Sequence, residues 1–262
     1  MRRALAAASV VLGLALTACG GGSSGRPNPA ATSSAATTTT DSAPANAQLG
    51  GTFARASALP PTVSCTYPAS GQAAKPNSAP PTRGVSAQGA AAITMATSAG
   101  DIGLSLDRAL APCTVNSFLS LAKQGYFDGT RCHRLVTSGI YVLQCGDPSA
   151  AGTGGPGYVF ANEYPTDQYP SSDPRLTQPL NYPRGTIAMA NIGKPDSNGS
   201  QFFLVYKDSP LPPQYTVFGT IDAAGLTALE KVAAAGEDGS QGTSGGGAPK
   251  IPVTITSVHT VG

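Results

Sequence analysis

Three stretches of this chain carry side chains suited to chemistry. They are Cys132-His133-Arg134-Leu135 running on to Leu143-Gln144-Cys145-Gly146-Asp147, then Ala190-Asn191, then Asn198-Gly199-Ser200-Gln201-Phe202-Phe203. They offer one arginine, two glutamine amides and several large apolar groups that could line a single shallow groove. A guanidinium keeps its proton and presents its donors in a fixed fork. Such a group can stabilise charge that develops on a strained bond, with no nucleophile, acid or cofactor. The residue supply argues against a metal: the histidines are His133 and His259, and no close cysteine pair exists. Gly152-Thr153-Gly154-Gly155 is not a phosphate loop, since no Lys-Ser/Thr follows it.

In order and spacing these segments resemble the cyclophilins, the peptidyl-prolyl cis/trans isomerases, from about Ala92 to the C-terminus. The resemblance implies that Arg134 is the catalytic residue. It implies that Gln144 and Gln201 orient that arginine and bind the substrate backbone. The main chain of Asn191 would bond the residue before proline, and Ala190, Phe203 and Leu211 would form pocket wall. Tyr141 and Val142 fall where the family usually has phenylalanine and methionine, and Tyr215 where many eukaryotic members have histidine. His133 matches a buried structural position, and Phe202 reads as ordinary core. Gly152–Gly155 resembles the loop beside a secondary pocket for residues before proline.

The implied chemistry is physically economical. Resonance gives an X–Pro bond a rotation barrier of about 18–20 kcal/mol. Twisting it returns a lone pair to the proline nitrogen, so a donor aimed there binds the twisted form better than either planar isomer. Three departures from the family pattern stand out. The segment between Arg134 and Gln144 is longer by two residues, within Thr137-Ser138-Gly139-Ile140. The chain has no tryptophan, and Pro210 stands where many members carry one that contributes to binding cyclosporin. Tyr215 is the third; it can still pack on a proline ring and donate a hydrogen bond. The expected activity is isomerisation of proline-containing polypeptides. The alternative, motivated by the longer hairpin and the missing tryptophan, is a module that binds proline peptides without catalysis.

The ends of the chain set its expected location. Arg2 and Arg3 followed by an apolar run to Leu16 read as an export signal over residues 1–18. Leu16-Thr17-Ala18-Cys19 looks like a bacterial lipobox, so Cys19 is the expected lipid attachment point and the protein an anchored, extracytoplasmic membrane protein. Residues 19–62 are Gly, Ser, Ala, Thr and Pro with few large apolar groups, a composition that reads as a disordered tether. Residues 63–91 form an N-terminal extension and 92–262 the domain. A net charge of +2, with no basic run interleaved with aromatics, gives no support for nucleic-acid binding. The protein is expected to be monomeric.

Stepping along the folded part, Ile93 and Met95, a Ser-Ala-Gly-Asp turn, then Ile102, Leu104 and Leu106 read as a hairpin. Pro112 opens a helix with Val115, Phe118, Leu119 and Ala122 on one face, and Gly125 stops it. A second helix carries Leu226, Leu229, Val232 and Ala233 and ends near Gly236. Strands are expected at Arg134–Val136, Val142–Gln144, Thr186–Ala190, Phe202–Val205, Val217–Ile221 and Pro252–Val258. Stretches 149–157 and 164–183 are expected as surface loops. The class is mainly β; the resemblance implies a closed eight-stranded antiparallel barrel capped by two helices. An even set of cysteines besides Cys19, namely Cys65, Cys113, Cys132 and Cys145, suggests two disulfides in an exported protein. If Arg134 and Gln144 oppose each other, as that fold implies, strand alternation turns Cys132 and Cys145 to opposite faces. The expected pairings are then Cys65–Cys145 with Cys113–Cys132, or Cys65–Cys132 with Cys113–Cys145.

Overall fold

The alternation from Ala91 to Met95 and from Ile102 to Leu106 becomes two antiparallel strands in the computed structural model, which describes residues 53–261. The strands are β1 (Thr62–Val63), β2 (Val85–Ser86), β3 (Ala90–Thr97), β4 (Ile102–Asp107), β5 (Thr130–Arg131), β6 (Arg134–Val136) and β7 (Val142–Cys145). They continue with β8 (Leu180–Tyr182), β9 (Thr186–Met189), β10 (Phe202–Val205), β11 (Ser209–Leu211), β12 (Val217–Ile221) and β13 (Thr254–Thr260). Two helices accompany them, α1 (Pro112–Lys123) and α2 (Ala223–Ala235). The nine-stranded sheet runs β5-β13-β3-β4-β12-β9-β10-β7-β6, and β1-β2 and β8-β11 are separate small pairs.

The first and last strands of the large sheet are consecutive in the chain, separated by Cys132 and His133 alone. Beyond that join, Leu135 exchanges backbone hydrogen bonds with Gly247, just ahead of β13. The sheet therefore curls round to its own start, and β5 and β6 act as two halves of one bent strand. That fills eight positions of a barrel, as the resemblance implied.

Helix α1 seals the interior through Phe118. Its ring stacks on Phe127 at 5.0 Å and lies 5.4 Å from Phe202 and 5.6 Å from Phe218, bringing helix, β10 and β12 into one aromatic cluster. Such edge and offset contacts add to the apolar area each ring buries. Helix α2 buries Leu226, Leu229 and Val232 on one stripe, and Asp222 caps it by accepting from Gly225 N at 2.7 Å. No local side chain caps α1. The carboxylate of Glu163 accepts from Cys113 N at 3.0 Å, Thr114 N at 2.8 Å and Thr114 Oγ1 at 2.7 Å. The first amides of a helix have no partner within it and favour a carboxyl acceptor, even though burial pushes the Glu163 pKa up.

Three expectations need correction. The disulfides are Cys65–Cys113 and Cys132–Cys145, the combination that simple alternation disfavoured. Thr130 and Cys132 point inward, but so does Leu135, so the two-residue period slips by one at Cys132–His133. Such a bulge turns Cys132 to the face of Cys145, with the two Cα atoms 4.0 Å apart. Second, residues 53–62 do not behave as tether. Phe53 packs edge-on to Tyr164, and Arg55 donates to Leu110 O and Asp167 Oδ2, both at 2.6 Å. The signal segment, Cys19 and the tether up to residue 52 lie outside the described residues. Third, the 164–183 stretch is no plain surface loop: Tyr164 and Tyr182 are buried, and it contains β8 and two short 3-10 turns.

Residues 64–82 run outside the barrel, and the Cys65–Cys113 bond ties them to α1. Closing a loop of sequence separation 48 corresponds to about 4 kcal/mol in a chain-entropy account. Replacing Cys65 and Cys113 together by alanine should lower stability by up to about that amount. Hydrogen exchange should rise first in residues 64–82 while the barrel strands stay protected, and denaturant titration with exchange mass spectrometry checks both.

Candidate active site

Opposed residues on neighbouring antiparallel strands share a face. The register Arg134↔Gln144, Gln144↔Phe203 and Phe203↔Ala188 therefore draws one row across β6, β7, β10 and β9. The alternate row, Leu135, Leu143, Leu204 and Ile187, is buried in the barrel, so the Arg134 row faces outward. Val136, Val142 and Val205 form the next outward row, which places Val142 beside Gln144. Phe202 points into the barrel against Phe118, as core.

The outward face is partly roofed. Strand β11 pairs with β8 through Leu211↔Leu180, and the chain beyond it carries Tyr215 over the row. The Tyr215 ring lies edge-on to Phe203 with centroids 5.6 Å apart, and Tyr182 lies 6.4 Å from Phe203. Asn191 Nδ2 donates to Gln214 O at 2.8 Å and so ties that roof to the end of β9. An apolar aromatic hollow thus opens next to the arginine.

Arg134 is half-buried and held from two sides. Its Nη1 donates to Gln144 Oε1 at 3.2 Å and its Nε to Gly245 O at 3.0 Å. Gln144 Nε2 then donates to Gln201 Oε1 at 2.9 Å, and Gln201 Nε2 to Gly154 O at 2.9 Å. Each amide in this chain has one orientation that satisfies both neighbours. Burial draws the Arg134 pKa below its ordinary value, with Tyr215 close enough to oppose that shift electrostatically. A guanidinium still holds its proton throughout the physiological range.

Beneath the chain lies fully buried Asp147. It accepts from Ser149 N at 2.8 Å, Ser149 Oγ at 2.7 Å and Gly154 N at 2.9 Å. Burial alone would raise its pKa, but these hydrogen bonds outweigh that and hold the carboxyl below its usual range. Its role is to fix the Gly152–Gly155 loop whose carbonyl receives Gln201. His133 is buried behind the same loop. Desolvation lowers its pKa, Asp147 pulls the other way, and the Arg134 charge adds to the lowering.

The structure brings Arg134, Gln144, Gln201, Phe203 and Tyr215 together, with Val142 and Leu211 at the margin. Ala190 and Asn191 line an adjoining cavity of about 350 Å³ with Gln144 and Gln201. Tyr141 is placed elsewhere: its ring lies under Lys207 Nζ at 4.3 Å and beside Tyr206, outside the row. It lies immediately ahead of β7, which begins at Val142. Two contributors were missed in the sequence. One is the carbonyl of Gly245. The following Gly246 has φ +76°, and a Cβ there would sit 2.1 Å from Leu135 O, so glycine is required for the loop to lie so close. The Gly245-Gly246-Gly247 run was the available signal. The other is residues 70–72, which line the same cavity.

Comparison with known proteins gives the family and the fold. Residues 92–260 match the family model described as cyclophilin type peptidyl-prolyl cis-trans isomerase. The chain is 59% identical over 199 residues to a protein of Mycobacterium tuberculosis named probable peptidyl-prolyl cis-trans isomerase B, covering 74% of this chain and 63% of that protein. A protein of the same name from Mycobacterium leprae is 57% identical over 202 residues, covering 75% and 66%. The match thus spans slightly less than two thirds of the length of these relatives. A crystal structure of a cyclophilin-type isomerase from Cryptosporidium parvum superposes with a TM-score of 0.52 at 28% identity, covering 66% of this chain and 98% of that one. Family model, relatives and fold concur: the chain belongs to the cyclophilin-type peptidyl-prolyl cis-trans isomerase family.

Proposed function

We propose that this chain isomerises X–Pro bonds of exported proteins, with Arg134 stabilising the twisted amide. Lipid on Cys19 would hold it at the extracytoplasmic face of the cell membrane, where it acts as a monomer without cofactor. The observation that carries the catalytic reading is the doubly anchored guanidinium beside an aromatic hollow. A proline ring seated against Phe203 and Tyr215 brings its nitrogen toward Arg134. The planar imide nitrogen has no lone pair to offer; the twisted one does. Gln144 and Gly245 fix the donor in advance, so no reorganisation is needed as the bond turns. Gln201 and the main chain of Asn191 are assigned to hold the peptide on either side.

One observation favours the binding-module alternative: Tyr141 contributes nothing to the hollow. A single variant separates the two readings. Arg134→Ala should lose about 100- to 1000-fold in kcat/KM, the scale on which a transition-state donor acts. Its thermal midpoint should remain close to that of the parent. Arg134→Lys should recover only part, since a point charge lacks the fork. NMR exchange on a proline peptide measures both, and normal turnover by Arg134→Ala would sink the assignment.

No group in this mechanism changes protonation, so kcat/KM should stay flat between about pH 6.5 and 8. Stability should not. The folded-state pKa of His133 lies below its ordinary 6.5, so its contribution is complete above that value and is lost as pH falls through the folded pKa. Thermal melts of parent and His133→Gln from pH 7.5 down to 5 should show a steeper fall in the parent. Gly246→Ala should displace the loop and release Gly245 from Arg134. We expect kcat to fall several-fold with KM little changed, read by steady-state and line-shape kinetics.

A further inference from the structure

The cavity beside Arg134 is completed by residues that precede the family domain. Ser70, Gly71 and Gln72 form one side of it, facing Gln144, Asn191 and Gln201. They belong to the extension and lie outside residues 92–260. This segment is built in. Ala69 pairs with Tyr158 as an antiparallel bridge, Ser70 N donates to Gly157 O at 2.9 Å, and Ala74 N donates to Gly155 O at 2.9 Å. Asn77 Nδ2 donates to Pro156 O at 2.9 Å, and Val159 N to Pro68 O at 3.0 Å. The approach is so close that Gly157, at φ +83°, would carry a Cβ 3.2 Å from Ala73.

The segment is also anchored at its base. Cys65 is bonded to Cys113, and Tyr67 donates to Cys113 O at 2.8 Å while packing edge-on to Tyr158 and Phe160. Lys75 Nζ reaches Gly125 O at 2.6 Å. The wall is therefore rigid enough to discriminate between occupants. Its lining is uncharged and mixed: polar groups of Ser70, Gln72, Thr153 and Gln201 alternate with apolar surface from Val159, Ala190 and Ile192, and among the described residues none lining the cavity carries a charge. Gln72 is exposed and able to meet a side chain with either a donor or an acceptor.

We propose that Ser70–Gln72 form a specificity wall of the substrate groove, selecting uncharged polar side chains on a residue flanking the proline. This rests on the isomerase reading above. A peptide with its proline on Phe203 passes over Gln144 and Gln201 directly into this cavity. An amide or hydroxyl there exchanges water for the amide of Gln72 and the hydroxyl of Thr153. An ammonium or carboxylate loses hydration with no opposite charge to meet it.

The test uses the chain with its extension intact and three proline peptides that differ at one flanking residue, Gln, Lys or Glu. NMR titration gives Kd and exchange spectroscopy gives the rate for each. The parent should favour the Gln peptide over both charged ones by about three- to tenfold. Gln72→Glu should shift the Lys-to-Glu preference toward Lys by about three- to tenfold, the range expected for one screened charge nearby. Gln72→Lys should shift it the opposite way. Ala79→Glu, exposed on the same extension but away from the cavity, should leave the ratio unchanged. Ratios in rate and Kd that ignore both Gln72 variants would overturn the proposal. Charge-dependent Kd values with no exchange in the parent would overturn the isomerase reading instead and leave the wall standing.

Discussion

Arg134 can face the solvent side of the barrel because the strand that carries it slips phase by one residue at Cys132–His133. A straight strand with Thr130 and Cys132 inward would also direct residue 134 inward, into the aromatic core around Phe118. The slip turns Cys132 and His133 both into the protein, restores Leu135 to the interior and presents the guanidinium outside. It also lets the sheet close, since the same bent strand pairs with β13 before the slip and with β7 after it. Barrel closure and arginine placement are thus one structural event. The Cys132–Cys145 bond locks it from inside, its cysteines lying two residues before Arg134 and one after Gln144.

From that point hydrogen bonds run outward in one direction. Arg134 is held by Gln144, Gln144 by Gln201, Gln201 by Gly154, and Gly154 by Asp147. Each member donates to the next until the last, where a buried carboxylate accepts. Partly buried polar chains of this kind are costly when incomplete and rigid when complete. Gly245 secures the arginine from the opposite side through a loop that also closes the barrel seam. The position of the guanidinium is consequently set by the scaffold itself.

Most of the strands, and the residues gathered around Arg134, were legible because their signals are local. Arg134–Val136, Phe202–Val205 and Val217–Ile221 lie where the apolar pattern placed them, and Pro112 and Gly125 bracket α1 as their backbone preferences require. What escaped depends on distant partners. Strands β5, β8 and β11 hold two or three residues each, too few for a period to register, and unlike the equally short Arg134–Val136 they carry no motif that marks them. Glu163 caps a helix about fifty positions away, and Gly245 reaches Arg134 across 111 residues of chain. Residues 53–62 have the composition of a linker, yet Phe53 and Arg55 suffice to dock them. The disulfide pairing failed for a sharper reason, because a single bulge inverts every facing argument downstream of it.

The two disulfides serve different layers of one site. Cys132–Cys145 joins the strand of the arginine to the strand of the glutamine that orients it. Cys65–Cys113 joins the extension to α1, and through the Ala69–Tyr158 bridge it steadies the loop that ends the hydrogen-bond chain. The extension has little core of its own: it buries Cys65, Pro80, Val85, Ala87 and Ala91, all small side chains, and packs Tyr67 against Tyr158 and Phe160. A segment that buries so little apolar surface offsets its ordering entropy poorly by packing alone. A covalent tie makes up the difference only where thiols stay oxidised. The wall beside the groove is therefore well formed in an oxidising compartment and weaker in a reducing one, which fits an enzyme proposed to meet its substrates after export.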